Sequence, residues 1–330
     1  MTLLTKGDES READIPFGTA AVATLQRLAG QLMENLPGTL GGEDIEALHD
    51  MRVASRRLRA ALRIFKPAFP KKPHLTVESK VKSITGALGT VRDSDVLIEF
   101  LQKYAIETGS DIRWLIDHEH CKRETARVAM TESLIGVTGA DFMDGISALL
   151  ASASLTSDEY MDASTVSFCM QAQEMALPRI EDLLDLSVAI GHPENAVGLH
   201  SMRIGAKRLR YTIEPFAPYW GRPLAEKITV VKSVQEYLGQ IHDLDVWTER
   251  LRTYASEDIF APHITELSKM ISDLQASRAD AYAQLFNLWE QLIATSFFDS
   301  LLAVLTDVPE KNLTIPGGSD RGREQHHRRK

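Results

Sequence analysis

The chain has 330 residues, 44% apolar and 25% charged, the balance of a soluble globular protein long enough for one large core or two moderate ones. Its 46 acidic and 37 basic side chains give a net charge of −9, which argues against a uniformly basic nucleic-acid-binding surface. Two cysteines, Cys121 and Cys169, cannot build a disulfide framework, and no stretch is long and apolar enough to span a membrane.

The amino-terminal MTLLTKGDESREAD is polar and acidic, without the apolar centre of a signal peptide, so residues 1–14 read as an extension of a cytoplasmic protein. Pro16 then opens a helix that ends near Asn35, before Pro37 and the GTLGG turn. A second helix runs from about Glu43 to Lys66 and is stopped by Pro67 and Pro70. The third starts after Pro73 and reaches about Tyr104. The fourth covers roughly 111–150, and Gly136–Gly139 can break it. SASLTSDEYMDAS, 152–164, reads as a linker. Four more helices follow at about 163–190, 195–217, 223–255 and 260–305, and the tail 307–330 is basic and expected to be disordered. No segment alternates apolar and polar residues, so no strand is predicted and the fold class is all-α.

The second set of helices repeats the first. LHDMRVASRRLR (48–59) returns as LHSMRIGAKRLR (199–210), matching His49, Arg52, Arg56, Arg57 and Arg59 to His200, Arg203, Lys207, Arg208 and Arg210. VKSITGALGTVRDSDV (81–96) returns as VKSVQEYLGQIHDLDV (231–246), with Lys82 and Arg92 at the places of Lys232 and His242. Arg123 and Phe142 correspond to Arg278 and Phe297. The expected organisation is two tandem four-helix bundles, 15–151 and 165–306, related by internal duplication, with a basic groove or channel between or along them.

On the second helix, Leu48, Met51, Ser55, Leu58, Leu62 and Phe65 fall on one face and predict the core side. His49, Arg52, Arg56, Arg59 and Arg63 form a parallel line one position away, about 21 Å long at 1.5 Å per residue. The cations therefore sit at the shoulder of the bundle, where a neighbouring helix supplies a second wall. On the third helix Lys82, Gly89 and Arg92 share a face, as do Lys232, Gly239 and His242. Glycine between two cations leaves room for something to come close. A solvated face paired with acids is the plainer reading, but the stripe has few acids, lies beside the core and occurs twice. Such clustering predicts an anion-binding groove. Arg and Lys suit phosphate, and the stripe contains no aromatic residue for base stacking, which favours a phosphate polymer and makes nucleic acid an unlikely partner.

These motifs, H-x-M-R-[VI], [RK]-R-L-R and LG-x-x-[RH]-D-x-D-V on a duplicated four-helix layout, resemble the CHAD domain, the conserved histidine α-helical domain, from about residue 15 to 306. The resemblance implies two four-helix bundles around a basic central surface, binding of inorganic polyphosphate, and association with polyphosphate granules. It implies polyphosphate contacts at His49, Arg52, Arg56, Arg59, Lys82 and Arg92, and at His200, Arg203, Lys207, Arg210, Lys232 and His242. Arg57 and Arg208 project to another side of the helix, the place of Arg63 in the second copy falls near Glu214, and Arg123 and Arg278 are a further recurring pair. The E-x-E-x-K motif of the CYTH domain that accompanies many relatives is absent.

Two rival functions are open to the same residues. His49 and His200 lack a His, Cys or carboxylate at i+4, so divalent-metal ligation fits poorly, and no metal or other cofactor is expected. DHEHC (117–121), with His118 and Cys121 on one face, has no repeat and reads as a surface histidine and a buried cysteine. His49–Asp50 and His242–Asp243 suggest a phosphohydrolase dyad, but neither dyad survives in the other copy and no phosphate loop is present, so the chain is not expected to be an enzyme. Asp93/Asp95 and Asp243/Asp245 could hold Mg²⁺, but positioning the nearby cations is the plainer role. A histidine phosphoacceptor stays open as a further alternative.

Overall fold

A computed structural model describes residues 17–42, 44–155 and 168–306. Every regular element among them is helical: α1 Phe17–Glu34, α2 Leu36–Gly41, α3 Ile45–Ile64, α4 Lys71–Thr108, α5 Arg113–Val137 and α6 Ala140–Leu155, then α7 Phe168–Leu186, α8 Ala196–Ile213, α9 Ala217–Trp220, α10 Arg222–Ala255, α11 Ile264–Ala294 and α12 Phe297–Thr306. The expected extension, most of the linker and the tail lie outside the described residues.

Local chemistry sets the helix boundaries. The Asp44 carboxylate accepts the backbone N–H of Ala47 at 2.9 Å and caps α3, and the Asn195 side chain caps α8 by accepting from Gly198 at 2.9 Å. α4 begins at Lys71, two residues before Pro73, because proline is tolerated in a first turn where its missing N–H has no helical partner. The fourth helix of each half is in fact two. α5 and α6 meet at a 50° bend around Thr138, and the segment expected to run unbroken over 260–305 bends by 58° at Ser296, whose φ is +48°. Each short final helix thereby folds back onto the first helix of its half.

In the first half α1 packs on α3 and α6, α3 on α4, and α4 on α5 and α6. In the second half α7 packs on α8 and α12, α8 on α10, and α10 on α11 and α12, the same order. One continuous apolar cluster runs through both halves rather than two separate cores. α4 has 38 residues and α3 has 20, so α4 rises about 57 Å against about 30 Å. Its excess length carries a hairpin with α5 beyond the bundle, and α10 with α11 does the same in the second half.

The halves meet where α3 crosses α8, where Tyr219 of the second half hydrogen-bonds Thr24 of the first, and where the two hairpins form a polar lock with an aromatic surround. In that lock the fully buried Glu119 carboxylate accepts from Tyr254 Oη at 2.5 Å and from Arg250 Nη1 at 3.0 Å, while Lys122 donates to Tyr254 Oη at 2.7 Å. His118 stands edge-on to Tyr254 and Phe260, and Trp114 stacks on His263 at 4.0 Å. DHEHC therefore does not behave as its sequence suggests. His118 sits in the interface, Glu119 is its buried centre and Cys121 is exposed. Glu119→Ala is expected to lose about 3 kcal/mol in urea unfolding, because Arg250 and Tyr254 would be left beside an unfilled, desolvated site. Glu119→Gln, which still accepts from Tyr254, should lose clearly less.

Candidate functional site

Core packing decides where the cations of α3 and α8 point. Leu48, Met51, Ser55, Leu58 and Leu62 are all buried, which fixes the rotation of α3 and leaves His49, Arg52, Arg56 and Arg59 half-buried at its shoulder. Burial of Leu199, Met202, Ala206 and Leu209 orients α8 in the same way and presents Arg203 and Lys207. At the crossing, Arg57 pairs with Glu214 at 2.6 Å, and the Arg56 guanidinium lies 5.3 Å from the centre of the Tyr211 ring.

The two shoulders face one cavity of about 1800 Å³, walled also by α4, α10 and parts of α7 and α11. Eleven Lys and Arg side chains line it against six Asp and Glu, so the wall is cationic inside an acidic protein. His49, Arg52, Arg56, Arg59 and Arg92 reach it from the first half, and Arg203, Lys207 and His242 from the second. Arg63, whose place in the second copy falls near Glu214, and Arg208, which projects to another side of its helix, line it too.

Other expected residues lie off this wall. His200 stands behind His242, with their Nδ1 atoms 3.1 Å apart. Arg210 pairs with Glu214 at 3.5 Å and lies over Tyr211, Lys232 pairs with Glu236 at 3.3 Å, and Lys82 is exposed. Arg123 and Arg278 do not line the cavity: Arg123 pairs with Asp95, and Arg278 donates to Asp245 at 2.5 Å. The recurring D-x-D motif thus divides its work. Asp95 and Asp245 bind those arginines, whereas Asp93 and Asp243 face the cavity, with Asp93 3.9 Å from Arg52. Among the described residues no three His, Cys, Asp or Glu side chains are grouped so as to hold a metal ion.

The wall departs from the sequence reading in two ways. The stripe has carboxylate neighbours after all, contributed by α4 and α10. Aromatic residues are also present: Tyr211 lies between the stripes, and Phe100, Tyr104 and Trp247 line the hairpin end. No helical-wheel argument on α3 alone could find them, since they enter from other helices. Arg250 was missed because Phe100 occupies its place in the first copy, so the repeat offered no match.

Electrostatically the cavity is strained toward neutrality. Burial, and then repulsion from Arg56, lowers Arg52, and burial likewise lowers Arg203 and Arg59. Lys207 is pushed down to about 8 by burial together with Arg56 and Arg203. His242 falls to about 4 through burial and Arg203, and His200 is lowered by burial, Arg203 and Lys207. Asp243 is raised because burial outweighs the attraction of Arg203. In each case the fold disfavours the charged form of the group. Gly89 and Gly239 keep the space open rather than relieve a clash. A Cβ at Gly89 would meet nothing within 4 Å, and one at Gly239 only Arg203 Nε at 3.8 Å.

A family model described as the CHAD domain matches residues 23–252. Among solved structures the chain is similar to the crystal structure of the CHAD domain from the plant Ricinus communis, at 23% identity and a TM-score of 0.59, over 91% of this chain and 96% of that one. It is similar to PptA from Streptomyces chartreusis at 16% identity and a TM-score of 0.60, over 83% of this chain and 99% of that one. At these identities the two likenesses speak to fold. The comparison with curated proteins returned no match.

The lowered Lys207 gives a signed stability prediction. Its folded value near 8 lies below the ordinary 10.5, so the unfolded chain holds more protons between those values and stability rises with pH across that window. At pH 7 the penalty is fully present. Lys207→Met should raise the thermal midpoint at pH 7 by roughly 2–4 °C, and the gain should fade as pH approaches 10.5, measured by calorimetry across that range.

Proposed function

The chain belongs to the CHAD domain family, and we propose that its cavity binds inorganic polyphosphate without hydrolysing or extending it. The observation that carries this reading is the convergence of Arg52, Arg56, Arg203 and Lys207 on one space, where burial and neighbouring cations disfavour the protonated forms of Arg52, Arg203 and Lys207. A multivalent phosphate chain removes that repulsion, and Arg provides bidentate hydrogen bonds that hold its oxygens. The cavity's surplus of cations over carboxylates suits a polyanion better than a single phosphate. The family's association with phosphate polymers supports the same reading.

The non-catalytic part rests on what the carboxylates do. Asp95 and Asp245 are committed to Arg123 and Arg278, and Asp93 lies beside Arg52, roles that hold cations in position rather than gather a metal. The proposal extends to place. No single helix among the described residues is long and apolar enough to cross a membrane, and we assign the protein to the cytoplasm, with recruitment to polyphosphate granules through the cavity.

Titration calorimetry at two salt concentrations tests the reading. Long-chain polyphosphate should bind with affinity that falls steeply as salt rises, since the chain releases counterions on binding. It should bind far more tightly than inorganic triphosphate, because the wall is longer than three phosphates. No phosphate should be released with Mg²⁺ or Mn²⁺ present. Equal affinity for triphosphate and long chains would overturn an extended site, and single-stranded RNA matching polyphosphate at the same salt would make nucleic acid the ligand.

A further inference from the structure

We propose that the hairpin end of the cavity is a nucleobase subsite, so that the cavity also takes nucleoside oligophosphates, with the base against Trp247 and Phe100 and the phosphates running to Arg52 and Arg203. This rests on the reading of the cavity as a phosphate-chain site and adds a second ligand class to it.

The lining changes character along its length. Around α3 and α8 it is guanidinium and ammonium, whereas at the hairpin end it presents Phe100, Tyr104 and Trp247. Phe100 and Trp247 come from opposite halves and stack with centroids 4.5 Å apart and ring planes 29° from parallel. A pair serving only to join the halves belongs in the core, yet both rings remain partly open to the cavity. A purine or pyrimidine presents the same kind of π-face, and one laid against this pair extends the stack. Inorganic polyphosphate gains nothing from such rings.

Polar groups at the same end match the rest of a nucleotide. Tyr104 Oη donates to Asp273 Oδ2 at 2.7 Å, and the Asp273 carboxylate, itself on the cavity wall, accepts from a base amino group or a sugar hydroxyl. Arg250 follows Trp247 by one helical turn, and Lys103 follows Phe100 by one turn. Arg250 is fixed by its 3.0 Å hydrogen bond to Glu119, whose side chain is 0% exposed, so one cation is held in place at the base end of the subsite. From Asp93, beside Arg52, to Phe100 is seven residues of α4, a rise of about 10 Å, the reach of a sugar and two or three phosphates.

Charge and stacking make different predictions for one pair of ligands. ATP carries no more negative charge than inorganic triphosphate at neutral pH, so a purely electrostatic cavity has no reason to prefer ATP. With the subsite, ATP should bind about fivefold more tightly or better. Trp247→Leu and Phe100→Leu, each checked by circular dichroism for an intact helical fold at the assay temperature, should bring ATP to or below triphosphate while leaving long-chain polyphosphate within about twofold of the parent. ATP binding no better than triphosphate to the parent protein, or Trp247→Leu weakening all three ligands equally, overturns the subsite. A parent protein that binds ATP in a Trp247-dependent way but not polyphosphate upholds the subsite and overturns the proposed function instead.

Discussion

Repulsion among half-buried cations is the constraint on which the rest of this structure turns. The apolar face of α3 must point inward, and that same face fixes Arg52 and Arg56 one position away at the shoulder of the bundle. α8 obeys the same rule with Arg203 and Lys207, and the crossing of α3 and α8 aims both sets at one space. Left to itself such a cluster would splay apart or lose protons, as the fall of Lys207 to about 8 indicates. The apolar cluster that spans both halves supplies the free energy that keeps it assembled.

A cavity held against its own charge needs fastening at more than one point, and the hairpins provide the second. The length of α4 and α10 carries them past the bundles until Phe100 meets Trp247 and Glu119 meets Arg250 and Tyr254. A fully buried carboxylate costs much to desolvate, and Glu119 is offset only by converging donors from the other half. Since Arg250 also faces the cavity, the fastening and the binding wall share a side chain.

Much of this was legible in the sequence because helical periodicity and repetition report on single helices. The buried face of α3 is the one the spacing of Leu48, Met51, Leu58 and Leu62 marks, and the cationic line beside it opens on the cavity. What was hidden depends on how helices meet. Tyr211 and Trp247 fall off the stripe on a helical wheel and enter the cavity only because α8 and α10 cross other helices. His118 looked like a surface residue because nothing local announces that a second hairpin covers it and its neighbour Glu119. Repetition also picked out Arg123 and Arg278, each of which pairs with an aspartate of its own half away from the cavity wall. The bend at Ser296 was invisible for a related reason: no glycine or proline marks it.

The central claim is that both halves grip one polyphosphate chain in one shared cavity. A double-mutant cycle on Arg56→Ala and Lys207→Ala, one from each half, read by calorimetric titration with long-chain polyphosphate, tests it most directly. A shared cavity predicts one chain bound per protein in all four proteins, with each single change weakening it and the two changes not additive, because both side chains face the same phosphates. Two chains bound by the parent, with each variant losing one and keeping the other at parental affinity, would contradict it.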